Sequence, residues 1–364
     1  MLCGAFLKSL NVPIVWSSHT NIDFYLSTYI RPYAVTMTQR IYQFIRLRHL
    51  TYSSMNLTVS QDFADFMEHT GVPRPVIVWK TGVDSELFNP SRRSRSMRYR
   101  MFGTYNNYTE AQMDSITLFL CVGRISPEKN FEFLSLVLER IPSQTFLCII
   151  GDGPYRNALE PIFPKDRVYF FGYLGGEELA SAYASADYFI YASVSETFGQ
   201  VYLEAMASGT PVIAAEGGQL KEFFIVGEHG YLWEPDNLDS AEDAIRSAMQ
   251  NREYLSKKVR QQALKHSWDS ASDQLNDIYY ESVKRHKQQG KSQTKNFIVY
   301  LCRLFYYGIT WALLMLLALV LMAPFVQVSS PKSKTTQMND KNNNNNYMRK
   351  HNSILTTKKS SSSS

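Results

Sequence analysis

The sequence has 364 residues, enough for two domains of roughly 150 residues each. Hydrophobic residues make up 45% of the chain, so it can bury a substantial core, and wholesale disorder is excluded. The net charge of +5 arises in the C-terminal tail, because residues 327–364 hold seven Lys or Arg against one Asp and the rest of the chain sums to about −1. A nucleic-acid-binding face is therefore not expected in the folded part.

The cysteine content predicts neither a metal site nor a disulfide framework. Cys3, Cys121, Cys148 and Cys302 show no paired spacing typical of metal ligands, and three of them lie in apolar runs. They are interpreted as reduced residues of a cytosol-facing protein, and no cofactor or metal is predicted.

Residues 1–112 are predicted to form an N-terminal domain with a strand at 12–16. The loop that follows this strand contains His19 and lies where open α/β sheets place ligand groups. His19 is a candidate to contact a hydroxyl or a phosphate oxygen, and a purely structural histidine is the alternative. Residues 33–52 form a basic amphipathic pattern, which fits either a helix on anionic lipid or a packed helix with a solvated basic face.

Residues 91–113 are polar and have no apolar period, so they are predicted to be a loop-like connection. The second domain is predicted at 113–266, where strands at 116–122, 145–150, 168–171, 188–191 and 211–214 alternate with helices. This alternation indicates an α/β fold with a doubly wound parallel sheet. The loop after the first of these strands carries Arg124 and Lys129, a pair suited to the two phosphates of a diphosphate.

The stretch from Ser195 to Pro211 holds two carboxylates, Glu196 and Glu204, separated by seven residues. A helix is predicted from near Gly199, and its free N–H groups would make the Thr197-Phe198-Gly199 turn a seat for phosphate. Eight helical residues rise about 12 Å, so one acid could contact a sugar while the other contacts a ribose. The alternative is an acid in the cap region and a solvated acid on the helix.

This motif, with Gly217-Gly218 after the next strand, resembles the donor-binding signature of retaining glycosyltransferases of family 4, which have the GT-B fold of two Rossmann-like, doubly wound domains. The segments at 12–20 and 80–90 resemble those of sulfoquinovosyltransferases in particular. The resemblance covers about residues 12–285.

The resemblance implies a role for each site residue. Glu196 would contact the donor sugar with His19 nearby, Glu204 the ribose, and Arg124 and Lys129 the diphosphate. The remaining donor-binding positions implied are Gly123, Gly151, Gly172, Tyr173, Thr197, Phe198, Gly199, Gly217 and Gly218.

The function implied is transfer of a sugar from a nucleotide-sugar donor, such as UDP-sulfoquinovose, to a lipid acceptor such as diacylglycerol. Front-face substitution without a metal would retain the anomeric configuration. The first domain lacks the family's initial strand-helix units, so half of the acceptor side is expected to be missing. The alternatives are a membrane-anchored, non-catalytic nucleotide-sugar-binding subunit or pseudoenzyme, or a truncated gene model.

The C-terminal region is predicted to attach the protein to a membrane. Residues 267–288 are predicted to form a helix that returns to the first domain, followed by a basic juxtamembrane linker at 289–303. Residues 304–326 carry no charge over 23 positions, which predicts a single transmembrane helix, with a buried core helix as the alternative. Residues 327–364 are predicted to be disordered, and the catalytic domain is expected to face the cytosol.

Overall fold

The computed structural model describes residues 7, 12–29, 32–50, 53–103, 108–194, 196, 199–217, 220 and 222–289. These residues belong to one compact unit, Met1–Cys302. The predicted transmembrane helix at 304–326, the tail at 327–364 and nearly all of the linker at 289–303 lie outside the described residues. None of the helices in the described ranges is long and apolar enough to span a membrane.

The N-terminal part forms a three-stranded parallel sheet. Its strands are β1 (Val15–Ser18), β2 (Met55–Thr58) and β3 (Val76–Val78), in the order β1-β2-β3. Two helices, α1 (Ile22–Tyr29) and α2 (Pro32–Leu50), lie between β1 and β2, and α3 (Gln61–His69) lies between β2 and β3. Helix α3 begins where the Ser60 hydroxyl accepts a hydrogen bond from the Phe63 N–H, and it packs Phe63 and Met67 against the sheet-side core.

The C-terminal part forms a six-stranded parallel sheet. Its strands are β4 (Thr117–Val122), β5 (Thr145–Ile150), β6 (Val168–Gly172), β7 (Tyr188–Tyr191), β8 (Val212–Ala215) and β9 (Gly230–Trp233). All of β5, β7 and β8 is buried, as expected for apolar runs covered by helices on both faces. The predicted parallel sheet is confirmed, and its strand positions agree closely with the prediction.

The helices around this sheet follow the chain. They are α4 (Arg95–Arg100), α5 (Glu110–Ser115), α6 (Phe131–Arg140), α7 (Arg156–Leu159), α8 (Gly176–Ser185), α9 (Gln200–Ala207), α10 (Leu238–Gln250) and α11 (Arg252–Ala263). Short 3-10 turns occur at Pro90–Arg92, Pro127–Lys129 and Glu160–Ile162.

The strand order β6-β5-β4-β7-β8-β9 places β4 beside β7 at the centre of the sheet. The chain runs outward from β4 to β6 on one side and from β7 to β9 on the other. The loops that leave β4 and β7 therefore diverge at their carboxyl ends and open a crevice, which is where sheets of this kind bind ligands.

The prediction that residues 91–113 form only a loop is wrong, because α4 lies in this segment and α5 begins in it. Each helix has only six residues, too few to show an apolar period, and each depends on its cap. The Ser94 hydroxyl accepts from the Met97 N–H, and Thr109 and Gln112 form a reciprocal capping box. Arg98 of α4 is buried against Asp187, which ties the segment to the start of β7.

The last described helix, α12 (Trp268–Gln289), packs on the N-terminal sheet. The Trp79 indole N–H donates to the Ala271 carbonyl at 2.9 Å, and the Gln274 amide donates to the Val78 carbonyl at 3.0 Å. Ile278 lies in one apolar cluster with Met55 and Leu57 of β2. These contacts join the C-terminal end of the described chain to its first sheet.

Candidate active site

The crevice between the loops that follow β4 and β7 contains an ion pair between two predicted site residues. Lys129 Nζ lies 2.8 Å from Glu196 Oε2, and their side chains are only 11% and 17% exposed. Lys129 comes from the loop after β4 and Glu196 from the loop after β7, so the strand order brings together two residues 67 positions apart. A cation and an acceptor of hydroxyl hydrogen bonds therefore meet at the switch point of the sheet.

The loop after β4 is held in shape by its own residues. Pro127 starts a 3-10 turn that ends at Lys129, and Asn130 takes a left-handed conformation with φ 51° before α6 begins. The Ser193 hydroxyl donates to the Glu128 carbonyl at 3.3 Å, which links the two loops. Lys129 Nζ also lies 5.6 Å from the centre of the Tyr191 ring, a cation–π contact. Arg124 is exposed on the same loop.

Predicted glycine positions lie next to one another at the carboxyl edge of the sheet. The Gly123 N–H donates to the Ile150 carbonyl at 3.0 Å, and the Gly151 N–H donates to the Gly172 carbonyl at 2.8 Å. A Cβ atom on Gly151 would lie 1.9 Å from the Gly123 carbonyl oxygen, so only glycine allows these loops to pack so closely. Tyr173 follows Gly172 and is 81% exposed.

Helix α9 begins at the second half of the predicted motif. Gly199 precedes it with a left-handed φ of 68°, which ends the loop and turns the chain into the helix. Glu204 lies within this helix, where burial raises the pKa of its carboxyl group to about 7. Thr197, Phe198 and Gly218 lie outside the described residues. A Cβ on Gly217 would lie 3.0 Å from the Val194 Cα, so the loops after β7 and β8 also touch.

His19 lies at the carboxyl end of β1. Its Nε2 is 3.0 Å from the Ser17 hydroxyl oxygen, and its ring meets the Trp79 ring edge-on at 5.8 Å. Partial burial lowers the pKa of the imidazole, which favours its neutral form near pH 7. The N-terminal part also reaches the crevice near α9, because the Gln200 amide donates to the Gly82 carbonyl at 3.3 Å.

Tyr191 is a site residue that sequence reasoning missed. It ends β7, and its ring lies under the Lys129 ammonium group and edge-on to Tyr202 of α9 at 5.6 Å. Burial, followed by the charge of Glu196, raises the pKa of its phenol well above the ordinary value, so the hydroxyl stays protonated. An aromatic residue at the last position of a strand before the acidic motif was the available signal. Among the described residues, no group of three His, Cys, Asp or Glu could hold a metal ion.

Both parts of the chain resemble known proteins. The sequence pattern of Glycosyl transferases group 1 matches residues 111–266, and that of Glycosyltransferase Family 4 matches residues 1–87. The chain is 34% identical to the sulfoquinovosyl transferase SQD2 of Arabidopsis thaliana over 77% of this chain and 54% of that protein. It is 31% identical to a GDP-mannose-dependent alpha-mannosyltransferase of Mycobacterium tuberculosis, over 76% of this chain and 68% of that protein.

A more local match and a fold match add to these. An alpha-monoglucosyldiacylglycerol synthase of Streptococcus pneumoniae is 41% identical over 28% of this chain and 24% of that protein. The crystal structure of Anabaena HepE in complex with UDP and glucose matches with a TM-score of 0.61 and 18% identity, over 77% of this chain and 76% of that one. The chain spans about half the length of SQD2.

One assignment follows from the parallel sheets, the crevice at the switch point and the sequence matches to both parts of the chain. The chain belongs to the group 1 glycosyltransferases, with a family 4 N-terminal region and a GT-B-like α/β fold.

Proposed function

We propose that this protein is a retaining glycosyltransferase that moves a sugar from a UDP-sugar, such as UDP-sulfoquinovose, to the hydroxyl group of a lipid such as diacylglycerol. The observation that carries the proposal is the largely buried Lys129–Glu196 pair in the crevice beside β4 and β7. The pair holds the two chemical functions that a nucleotide sugar needs, which are a cation for phosphate and a carboxylate for sugar hydroxyls.

The donor would bind along the carboxyl edge of the six-stranded sheet. The diphosphate would take Lys129 and the exposed Arg124, together with N–H groups before α9. The sugar would face Glu196 on one side and His19 on the other. The ribose hydroxyls would donate to Glu204, and the base would meet the backbone at Gly172 and Tyr173.

Catalysis would depend on stabilising the leaving group. The acceptor oxygen forms a bond to the anomeric carbon on the face from which the diphosphate departs, and the bond from that carbon to the β-phosphate oxygen breaks. The acceptor proton passes to the departing phosphate oxygen, so charge and atoms balance without a nucleophile from the protein. Arg124 and Lys129 would stabilise the negative charge that develops on the diphosphate.

The choice of donor and acceptor is supported by the relatives. SQD2 is named a sulfoquinovosyl transferase, and the pneumococcal relative is named for the diacylglycerol lipid that it makes. Another relative is named for GDP-mannose. Because the base would be held mainly by backbone groups, the donor panel must include both UDP- and GDP-sugars.

The proposal includes attachment to a membrane. Residues 304–326 would form the single membrane-spanning helix, and the two Rossmann-like domains would lie in the cytosol. An anchor of this kind would hold the crevice near a lipid acceptor.

The test is calorimetric titration of the detergent-solubilised full chain with a panel of UDP- and GDP-sugars, followed by transfer assays to diacylglycerol. The variant is Arg124→Ala with Lys129→Ala. Its matched control is Arg246→Ala with Lys257→Ala, which removes one Arg and one Lys from exposed helix pairs.

Three outcomes separate the alternatives. Transfer that the control retains and the site variant loses supports the enzyme. Binding without transfer favours the non-catalytic nucleotide-sugar-binding subunit. If no nucleotide sugar binds, or if the site variant binds as well as the control, the donor-site assignment is wrong.

A further inference from the structure

A second polar cavity lies at the opposite edge of the six-stranded sheet. Its volume is about 560 Å³, and its floor contains Thr117 at the start of β4 and Asp187 and Tyr188 at the start of β7. The strands β4 and β7 are parallel, so this cavity lies at their amino ends and the Lys129–Glu196 crevice at their carboxyl ends. A strand of six residues separates the two by roughly 17 Å.

The lining of this cavity is strongly basic, and we refer to it as the arginine cavity. Four arginines and two acids line it: Arg93, Arg95, Arg98, Arg252, Asp114 and Asp187. The cavity therefore carries two more positive than negative charges.

Two of the four arginines are neutralised by the acids. Arg98 and Asp187 are 7% and 8% exposed, and Arg98 Nη2 lies 3.0 Å from Asp187 Oδ2. Arg98 also donates to the carbonyls of Ser185 and Ile116, so hydrogen bonds within the protein account for its burial without a ligand. At the rim, Arg95 Nη2 lies 2.6 Å from Asp114 Oδ2.

Arg93 and Arg252 carry the excess positive charge of the cavity. Their side chains are 52% and 42% exposed, and both face Asp187 Oδ1, at 3.9 Å and 2.5 Å. The Arg93 distance is beyond hydrogen-bonding range. The other oxygen of Asp187 already accepts from Arg98 and from the Leu118 N–H. One carboxylate thus faces three guanidinium groups, and burial, followed by the charge of Arg252, lowers the pKa of Arg93.

The position of Arg252 adds to the positive potential. It is the first residue of α11, where a helix carries positive partial charge and a cation is disfavoured. Asn251 precedes the helix without a capping bond from its side chain. A cation at this end, beside a second exposed arginine, is favoured when an anion lies between them.

We propose that the arginine cavity binds a phosphomonoester dianion between Arg93 and Arg252, independently of the donor crevice. A phosphomonoester carries about two negative charges and three acceptor oxygens, which match the surplus charge and the two guanidinium forks. This chemistry is shared by soluble phosphorylated metabolites and by lipids with a phosphomonoester headgroup.

The test is calorimetric titration of the detergent-solubilised full chain with inorganic phosphate and with glycerol 3-phosphate, in the presence and absence of saturating UDP. We expect saturable binding that UDP does not abolish, because the two sites lie at opposite edges of the sheet. The readout does not require transferase activity, so it is independent of the proposed function.

The variant is Arg93→Gln with Arg252→Gln, and its control is Arg92→Gln with Arg246→Gln, which removes two partly exposed arginines outside the cavity. We expect the cavity variant to bind phosphate at least about tenfold more weakly and the control to match the wild type. Arg93→Gln alone is a second variant that leaves the Arg252–Asp187 and Arg98–Asp187 pairs intact, and it should weaken binding by several-fold.

The source of the phosphate is tested with dihexanoyl phosphatidic acid, and dihexanoyl phosphatidylcholine serves as the control lipid. A lipid headgroup site would bind the phosphatidic acid at least about tenfold more tightly than glycerol 3-phosphate, because Ile116 and Met249 also line the cavity. A site for soluble metabolites would bind both equally. The proposal is overturned if inorganic phosphate shows no saturable binding up to about 10 mM, or if the cavity variant binds as tightly as the wild type.

Discussion

The ammonium group of Lys129 lies 2.8 Å from the Glu196 carboxylate, and the two residues come from the loops that follow the central strands β4 and β7. Both side chains are largely buried, so each charge needs the other when no ligand is bound. A donor diphosphate would compete with Glu196 for Lys129. In the proposed donor complex, binding of the diphosphate would therefore free the Glu196 carboxylate to accept hydrogen bonds from the sugar.

Replacing Glu196 should separate the nucleotide from the sugar in binding. In Glu196→Gln, Lys129 no longer has a carboxylate partner, so UDP should bind as tightly as before or up to about tenfold more tightly. The extra affinity that a UDP-sugar has over UDP should be lost. Titration of wild type and variant with both ligands measures this difference. Equal loss of affinity for UDP and UDP-sugar would show that Glu196 does not face the sugar.

Replacing Lys129 should weaken the binding of UDP and of the UDP-sugar alike. Lys129→Met keeps much of the aliphatic stem and removes the charge, so UDP and UDP-sugar should both bind about 10- to 100-fold more weakly, as expected for a lost charge-assisted hydrogen bond. The control is Lys257→Met, an exposed lysine of a surface helix pair. Unchanged UDP affinity in Lys129→Met would remove this lysine from the phosphate site.

Glu204 should make nucleotide binding depend on pH. Burial raises the pKa of this carboxyl group to about 7, so a growing fraction is protonated as the pH falls below that value. If the ionised form accepts the ribose hydroxyls, wild-type affinity for UDP should fall by up to about tenfold per pH unit below 7 relative to Glu204→Gln. Titrations of both proteins between about pH 5.5 and 8 test this, because the titration of UDP itself cancels in the comparison. Parallel profiles would exclude Glu204 as the ribose acceptor.

The Glu204 carboxyl group should also make the ligand-free protein less stable as the pH rises. The folded-state pKa of about 7 exceeds the ordinary 4.5, so the folded protein holds the proton more tightly than the unfolded chain. Stability from this group is present below about pH 4.5 and is lost as the pH rises through 7. Thermal melts should therefore show Glu204→Gln gaining roughly 1–3 kcal/mol over the wild type between about pH 5 and 8.

The strands could be predicted from sequence because each buried parallel strand is an apolar run that ends at a glycine or polar turn. The prediction of 116–122 and the observed Thr117–Val122 differ by one residue. The order of the strands could not be predicted this way, and that order alone brings Lys129 to Glu196. Pairing of Arg98 with Asp187, 89 residues later, was missed for the same reason. Arg98 lies in a helix of six residues, which is too short to show an apolar period.

Close packing at the sheet edge makes Gly151 intolerant of any side chain. Its φ is +135°, and a Cβ atom would lie 1.9 Å from the Gly123 carbonyl oxygen. Gly151→Ala should therefore destabilise the protein by about 3 kcal/mol or more and displace the loop that carries Arg124. Gly176 is the control, because its φ is +55° but no atom lies within 4 Å of the added Cβ. Gly176→Ala should cost only about 1 kcal/mol in chemical unfolding. Similar losses in the two variants would contradict a steric origin.

Breaking the buried Arg98–Asp187 pair by removing one partner should destabilise the protein strongly. Asp187 accepts from Arg98 and from the Leu118 N–H, so it joins α4 to the first residues of β4 and β7. Asp187→Asn keeps the shape but leaves the buried Arg98 charge without its counterion and also breaks the ion pair with Arg252, which together should cost about 3–5 kcal/mol. Urea unfolding measures this loss. The control is Glu242→Gln, which breaks only exposed pairs with Arg140 and Arg246 and should change stability by less than about 1 kcal/mol.

Removing the unpaired charge as well, in Arg98→Met with Asp187→Asn, should recover part of the loss relative to Asp187→Asn alone. The recovery is only partial because the double variant also loses the hydrogen bonds from Arg98 to three backbone carbonyls. A double variant less stable than either single one would show that these backbone bonds, rather than the ion pair, hold α4 in place.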